Sequence, residues 1–201
     1  MSVNPFAAVF ARRGRPRVII PTERLVLRPP QMADYESWAS LRRESAAFLK
    51  PWEPEWAPDH LSHRAFRTRV FWAERSVRAG EAVPLFLMHR ETGEVVGGVT
   101  LSNIRRDPAQ AGTLGYWTGG RYARQGYMRE ALSALRDHAF GPMRLSRLEA
   151  ACLPENDASR RLLERVGFKY EGVAQAYLQI AGRWRNHVLY AALRIDRRGR
   201  V

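Results

Sequence analysis

Residues 84–104, PLFLMHRETGEVVGGVTLSNI, hold two apolar, β-rich runs separated by only four polar residues. A link that short joins neighbouring strands of opposite direction, whereas a parallel pair needs a crossover of about a dozen residues or more. The middle of the chain is therefore committed to an antiparallel hairpin, with a tight turn at Thr92 and Gly93. Similar signals recur on both sides of it. ERLVLRPP (Glu23 to Pro30) alternates and stops at two prolines, AGTLGYWTG and RLEAACL (Arg147 to Leu153) read as short strands, and alternating runs over 169–180 and 184–195 flank an Ala181-Gly182 turn.

Helical periodicity falls between these strands. Tyr35, Trp38, Leu41 and Ala46 place a helix over 33–48, broken by LKPWEPEWAPDH, and Phe66, Val70 and Trp72 place a second over 60–79, stopped by Gly80. Met128, Ala131, Leu132, Leu135 and Ala139 mark a third from Gly126 to about Phe140. Asn156 caps a fourth that ends at Gly167, with Leu162, Leu163 and Val166 on its apolar face. The order is strand, two helices, three strands, helix, strand, helix, two strands. It predicts a mixed, largely antiparallel sheet with helices packed on it.

With 201 residues, 45% of them hydrophobic, the chain suits one domain, expected over 21–196, with a basic, poorly ordered arm at 1–20 and a basic tail at 197–201. Arginines interrupt every apolar stretch before the roughly 20 residues needed to cross a bilayer, so no membrane span is expected. The single cysteine, Cys152, excludes an intramolecular disulfide and fits the cytoplasm. The formal charge of +13 predicts attraction to polyanions such as RNA, membrane surfaces or phosphorylated ligands. Lysine occurs only at Lys50 and Lys169, and an arginine skew of that kind follows as readily from genomic base composition. His60 and His63 lack an acid at metalloprotease spacing and read as surface histidines, so no metal site is expected. Cys152 reads as a buried strand residue, with neither a Gly-x-Ser-x-Gly elbow nor a Cys-His signature beside it.

The segment YARQGYMREAL (122–132) sets Gly126 at a helix start. There the first turn leaves about four backbone N–H groups unpartnered and the helix dipole adds partial positive charge, which together suit an anion. Glycine admits a close approach, and Arg124 adds a cation. A nucleotide-hydrolysing loop needs Gly-Lys-Ser/Thr and a dinucleotide fingerprint needs three spaced glycines; neither pattern is present. The remaining readings are a coenzyme A pyrophosphate loop and an ordinary helix entry.

LGYWTGGRYARQGYMREAL resembles the core motif of the GNAT N-acetyltransferase superfamily, although Ala123 stands at its Gln/Arg position and Met128 at its Gly/Ala position. PENDASRRLLERVGF (Pro154 to Phe168), following RLEAACL and leading into EGVAQAYLQIAGRWRNHVLYAAL, resembles the half of that superfamily that completes the acetyl-CoA cleft. LKPWEP, GYM, RLVLRPP and GRWRNHVLYAAL are similar to the ribosomal-protein-alanine N-acetyltransferases of the RimJ/RimL type, among which Met128 is no departure.

The resemblance implies a GNAT α/β fold, with a mostly antiparallel sheet of six to seven strands, about four helices and a V-shaped split between the two central strands. It implies acetyl-CoA as co-substrate and an amine acceptor. That acceptor is the N-terminus of a ribosomal protein or, as an alternative, a small amine such as an antibiotic or polyamine; a non-catalytic, arginine-rich RNA- or ribosome-binding module stays open beside them, and the protein is expected as a monomer or homodimer. By the same resemblance, Tyr116, Trp117 and Thr118 face the acetyl group with a free backbone N–H. Arg124, Gln125, Gly126, Tyr127 and Met128 hold the pyrophosphate, and Asn156 bonds the pantetheine arm. Arg129 and Arg161 are within possible reach of a nucleotide phosphate, and each also reads as a solvated helix residue. Ser159 is the first candidate to protonate the leaving thiolate and Tyr177 the second. Glu53 and Glu171 are candidate bases. Glu53 also suits orienting an incoming N-terminus in a groove walled by Trp52 and Trp56.

Overall fold

The computed structural model describes residues 18–195, so most of the expected arm and all of the tail lie outside it. Its strands are β1 (Ile20–Pro21), β2 (Leu25–Arg28), β3 (Val83–His89), β4 (Val95–Arg105), β5 (Ala111–Thr118), β6 (Arg147–Cys152), β7 (Lys169–Ile180) and β8 (Arg183–Leu193). Its α-helices are α1 (Tyr35–Glu44), α2 (Ala46–Leu49), α3 (His63–Ala79), α4 (Tyr127–Phe140) and α5 (Asp157–Arg165). The strands form one sheet in the order β1-β2-β3-β4-β5-β6-β8-β7. Every neighbouring pair is antiparallel except β5 and β6.

The expected α/β architecture is present, with one strand and one helix more than the sequence suggested. The extra strand is β1, whose Ile20 pairs with Leu27 and is buried although it falls in the expected arm. The extra helix arises at Ser45, where the expected 33–48 helix breaks into α1 and α2. The Ser45 hydroxyl accepts a hydrogen bond from the Gly120 N–H at 2.8 Å, tying this break to the segment after β5. The helix expected from His60 begins instead at His63, because the Ser62 side chain caps it by accepting from the Ala65 N–H at 3.1 Å.

The period of two in β3 divides the protein into two cores. Leu85 and Leu87 join Met128, Leu132, Leu135 and Leu163 on the face covered by α4 and α5, whereas Phe86 and Met88 join Trp38, Leu41, Phe66 and Val70 under α1 and α3. Burying each such large side chain is worth about 1.5–3 kcal/mol, so both faces hold the sheet rigid between them.

Candidate active site

Strands β5 and β6 pair in parallel from Ala111 opposite Arg147 to Leu114 opposite Ala150, and no further. Beyond that point β5 follows β4, ending with Thr118 opposite Gly97, while β6 follows β8, ending with Cys152 opposite Val188. The sheet therefore splits at its centre. From Gly115 to Thr118 the backbone groups of β5 that face β4 stay in the ladder, whereas those that face β6 have no strand partner. Tyr116 and Trp117 sit side by side on this edge and point to opposite faces of the sheet.

Tyr116 reaches toward α5, where its hydroxyl lies 2.7 Å from Ser159 Oγ. Burial pushes the Tyr116 phenol well above its ordinary range, so it remains a neutral hydroxyl that can donate or accept. Ser159 is placed by Asn156, whose side-chain oxygen accepts the Ser159 N–H at 3.0 Å and caps α5. That cap uses the amide oxygen and leaves the Asn156 NH₂ available. Cys152, at the end of β6, is buried, and its burial raises the thiol pKa.

The loop before α4 is built to present donors. Gly126 is the N-cap residue at φ +84°, a left-handed conformation that side chains resist, and Arg124 also takes positive φ. Hydrogen bonding resumes with the Glu130 N–H, which donates to the Gly126 carbonyl at 3.0 Å. Among the described residues, the N–H groups from Arg124 to Arg129 have no acceptor. The loop is latched from beneath. Glu130 accepts from Thr22 Oγ1 at 2.6 Å, from the Arg24 N–H at 2.7 Å and from Arg24 Nε at 2.8 Å, and Arg24 Nη1 donates to the Gln125 carbonyl at 3.0 Å. Burial works to raise the Glu130 pKa, but these donors outweigh it and hold the carboxyl below its usual value.

On the other face, Trp117 helps wall a cavity of about 320 Å³ with Trp38 and Trp56. Gly98 makes room for it, since a Cβ there would lie 2.6 Å from the Trp117 indole nitrogen. The cavity's polar lining is Arg42, Glu53, His60 and Arg69, with exposed Glu55 at its rim. Arg42, 4% exposed, is layered between the Trp56 and Trp117 rings at 4.3 and 4.7 Å. It donates to both Glu53 oxygens, at 2.7 and 2.6 Å, and Trp56 Nε1 donates a third bond to Glu53 at 2.7 Å. Arg42 Nη2 is also 3.1 Å from His60 Nε2, and because a guanidinium has no acceptor, the imidazole nitrogen accepts. Burial, reinforced by Arg42 and Arg69, lowers the His60 pKa to about 4.

The structure thus gathers Tyr116, Asn156 and Ser159 at the split and places residues 124–128 at the mouth of α4. Met128 turns inward, into the core under α4. Arg129 and Arg161 are exposed helix residues, as their solvated reading anticipated. Three expectations need revision. Tyr177 is 45% exposed, and its ring contact is with His187 at 5.7 Å; no described contact joins it to Ser159. Glu53 lines a groove with Trp56 as expected, but its carboxylate is already engaged by Arg42, and Trp52 is not among the cavity's walls. His60 is a cavity residue stacked on Trp56 at 4.6 Å rather than a surface histidine; its partner in spacing, His63, is the exposed one. Glu171 is ion-paired with Arg147. Nothing in the local sequence separates Arg42 and Arg69 from the other arginines of α1 and α3.

A central split between parallel strands, with unpartnered N–H groups at the start of the following helix, is the architecture of an acetyltransferase. The chain belongs to the GNAT acetyltransferase family, whose acetyltransferase (GNAT) domain matches residues 24–169. It is 35% identical over 182 residues to the ribosomal protein uS5-alanine N-acetyltransferase of Escherichia coli, covering 90% of this chain and 93% of that one. Among solved structures, the fold is similar to the ribosomal-protein-S5-alanine acetyltransferase of Vibrio fischeri, with a TM-score of 0.82, 28% identity and coverage of 89% of this chain and 98% of that one. It is equally close to Mycobacterium smegmatis RimJ in complex with CoA-disulfide, with a TM-score of 0.82, 30% identity and coverage of 88% and 87%.

Proposed function

We propose that this enzyme transfers the acetyl group of acetyl-CoA to the N-terminal α-amine of a ribosomal protein in the cytoplasm. The observation that carries the chemistry is the Tyr116–Ser159 hydroxyl pair on the wall of the split, with the donor-rich loop at 124–128 leading from the end of the same strand into α4. The acceptor class is supported by the E. coli and V. fischeri relatives, both named for ribosomal-protein alanine acetylation.

In this reading, the N–H groups before α4 hold the pyrophosphate, the Asn156 amide bonds the pantetheine arm, and the free edge at Gly115 to Thr118 donates to the acetyl carbonyl oxygen as negative charge develops there. The amine nitrogen attacks the carbonyl carbon, the carbon–sulfur bond breaks, the departing thiolate takes a proton from the Ser159 hydroxyl, and the proton shed by the attacking nitrogen returns to the serine through water, while Tyr116 holds the Ser159 oxygen in place. A terminal amine is roughly 10% neutral at pH 7, so water or a modest carboxylate suffices to take its proton, whereas a lysine needs a strong base. No strong base faces the split among the described residues, which favours the α-amine.

The cavity beside Trp117 supports a peptide acceptor over a polyamine, because it holds two guanidinium groups rather than an acid-lined slot. The charge of +13 supports approach to an RNA-associated target by a monomer or homodimer. Release of CoA thiol on mixing with acetyl-CoA and ribosomal-protein N-terminal peptides tests the proposal. Acceptor-dependent release supports it; binding of acetyl-CoA without any transfer to such peptides overturns the acceptor assignment.

A further inference from the structure

The cavity walled by Trp38, Trp56 and Trp117 has a charge arrangement that internal pairing does not complete. Arg42 and Arg69 both line it, and the Nε of each is buried without a hydrogen-bond partner. The inner carboxylate, Glu53, has both oxygens taken by Arg42 and one of them also by Trp56. Arg69 has no ion pair among the described residues; its recorded contact is with the face of Trp38 at 5.3 Å. Burial and the neighbouring Arg42 both work against its charge, with only Glu53 in its favour. Glu55 at the rim is solvated, and a charge in water compensates a buried one weakly. His60 is neutral near pH 7 and cannot supply an anion.

An unpaired guanidinium in a half-open, indole-walled cavity is an energetic debt that a carboxylate settles, since the planar guanidinium fork matches two carboxylate oxygens. From this geometry we infer that the cavity is an acceptor subsite for a carboxylate, with Arg69 as its principal ligand and Arg42 behind it. The location agrees. Trp117 lies on the free edge of β5, so a group held beside it is close to the split, and the Ala181 N–H donates to the Glu53 carbonyl at 3.0 Å, which brings the β7–β8 turn over the same mouth. The inference rests on the acetyltransferase reading for the identity of the ligand as an acceptor, and the ligand is most simply the acidic side chain of a residue near the acceptor's N-terminus. The α-carboxylate of a small amino acid offers the same chemistry.

Equilibrium binding tests this without turnover. Quenching of tryptophan fluorescence is followed as C-terminally amidated peptides are added that differ only in Glu or Gln near the N-terminus, with alanine and alaninamide as the small-molecule arm. The Glu peptide is expected to bind about 10- to 100-fold more tightly than its Gln twin, the range of a charge-assisted hydrogen bond. Arg69→Gln abolishes that preference, and Arg69→Lys keeps part of it. A preference confined to alanine over alaninamide assigns the carboxylate to a small acceptor and keeps the subsite. Equal affinity of the wild type for the Glu and Gln peptides and for alanine and alaninamide overturns the inference, as does a preference that survives in Arg69→Gln. Acetyl-CoA titration of each protein runs in parallel. Saturation by the wild type with no carboxylate preference sinks the subsite alone, whereas no uptake of acetyl-CoA sinks the broader reading while the peptide titration still decides this one. If Arg69→Gln fails to saturate, the comparison is decided on wild type and Arg69→Lys.

Discussion

The hydroxyls of Tyr116 and Ser159, 43 residues apart in the chain, meet at 2.7 Å and tie β5, where it parts from β6, to the first turn of α5. One lies on the strand edge that the sheet leaves unpaired and the other in the first turn of the helix facing it. If Ser159 delivers the proton to the thiolate, Ser159→Ala lowers kcat by about 100-fold, at the lower end of acid–base contributions, with little change in KM for acetyl-CoA. Tyr116→Phe leaves the serine in place without its partner and lowers kcat by less. Burial keeps the Tyr116 phenol protonated through the usual assay range, so no pH-rate limb belongs to it. Steady-state kinetics of the two variants check this, and an unchanged kcat in Ser159→Ala removes the serine from the chemistry.

Asn156 has two separable tasks, because its oxygen caps α5 while its NH₂ remains free. Asn156→Ala loses both, at a cost of about 1 kcal/mol in stability from the cap alone. Asn156→Asp keeps the cap, and keeps an acid favourable at a helix start, but has no amide donor. Its melting temperature is expected to match the wild type while acetyl-CoA binding weakens. Thermal melting and calorimetric titration distinguish the two; equal acetyl-CoA affinity in wild type and Asn156→Asp rules out the pantetheine contact.

These two residues were legible because their signals are local. Asn156 precedes an apolar helical period, Ser159 follows three residues later, and Gly126 precedes another such period, so capping rules place all three at helix starts. The strands were legible for the same reason, apart from β1, which is too short for alternation to register. What the sequence did not yield are the relationships that need the fold. Arg42 and Glu53 are 11 residues apart, one before the break at Ser45 and the other within the proline-rich turn, and only the folding back of that turn brings them into register. The spacing of His60 and His63 suggested one exposed helix face, but Ser62 starts α3 between them, leaving one in the cavity and the other in solvent. Arg69 shares α3 with exposed Arg64 and Arg67, and its distinction is which core lies beneath it.

Glu53 provides a decisive test of roles, since a carboxylate committed to Arg42 and Trp56 orders the wall of the cavity and is poorly placed to take protons. Glu53→Gln keeps the shape and removes the charge, leaving Arg42 uncompensated in its indole sandwich. Breaking a buried pair of this kind costs about 3–5 kcal/mol, and the partial exposure of Glu53 places the expected loss toward or below the lower end. The melting temperature therefore falls, and the acidic limb of the pH-rate profile keeps its midpoint. Replacing both residues with apolar ones of similar size recovers most of the lost stability, because it removes the second charge as well. Retained stability in Glu53→Gln together with loss of that limb assigns the base to Glu53 instead.

His60 makes stability depend on pH in a direction that can be derived. Its folded pKa is about 4, below an ordinary value of 6.5, because burial and the adjacent Arg42 and Arg69 oppose a third positive charge. Between those two values the unfolded chain binds a proton that the folded protein does not, so unfolding becomes easier as the pH falls from about 6.5 toward 4, and the effect is complete below both. Above about pH 6.5 the imidazole is neutral in both states and contributes no slope. His60→Gln offers Arg42 an acceptor that does not titrate over this range. Denaturant melts collected from pH 7.5 down to 4.5 are expected to show a shallower loss of stability in the variant than in the wild type. Parallel curves for the two proteins place the acid sensitivity elsewhere in the fold.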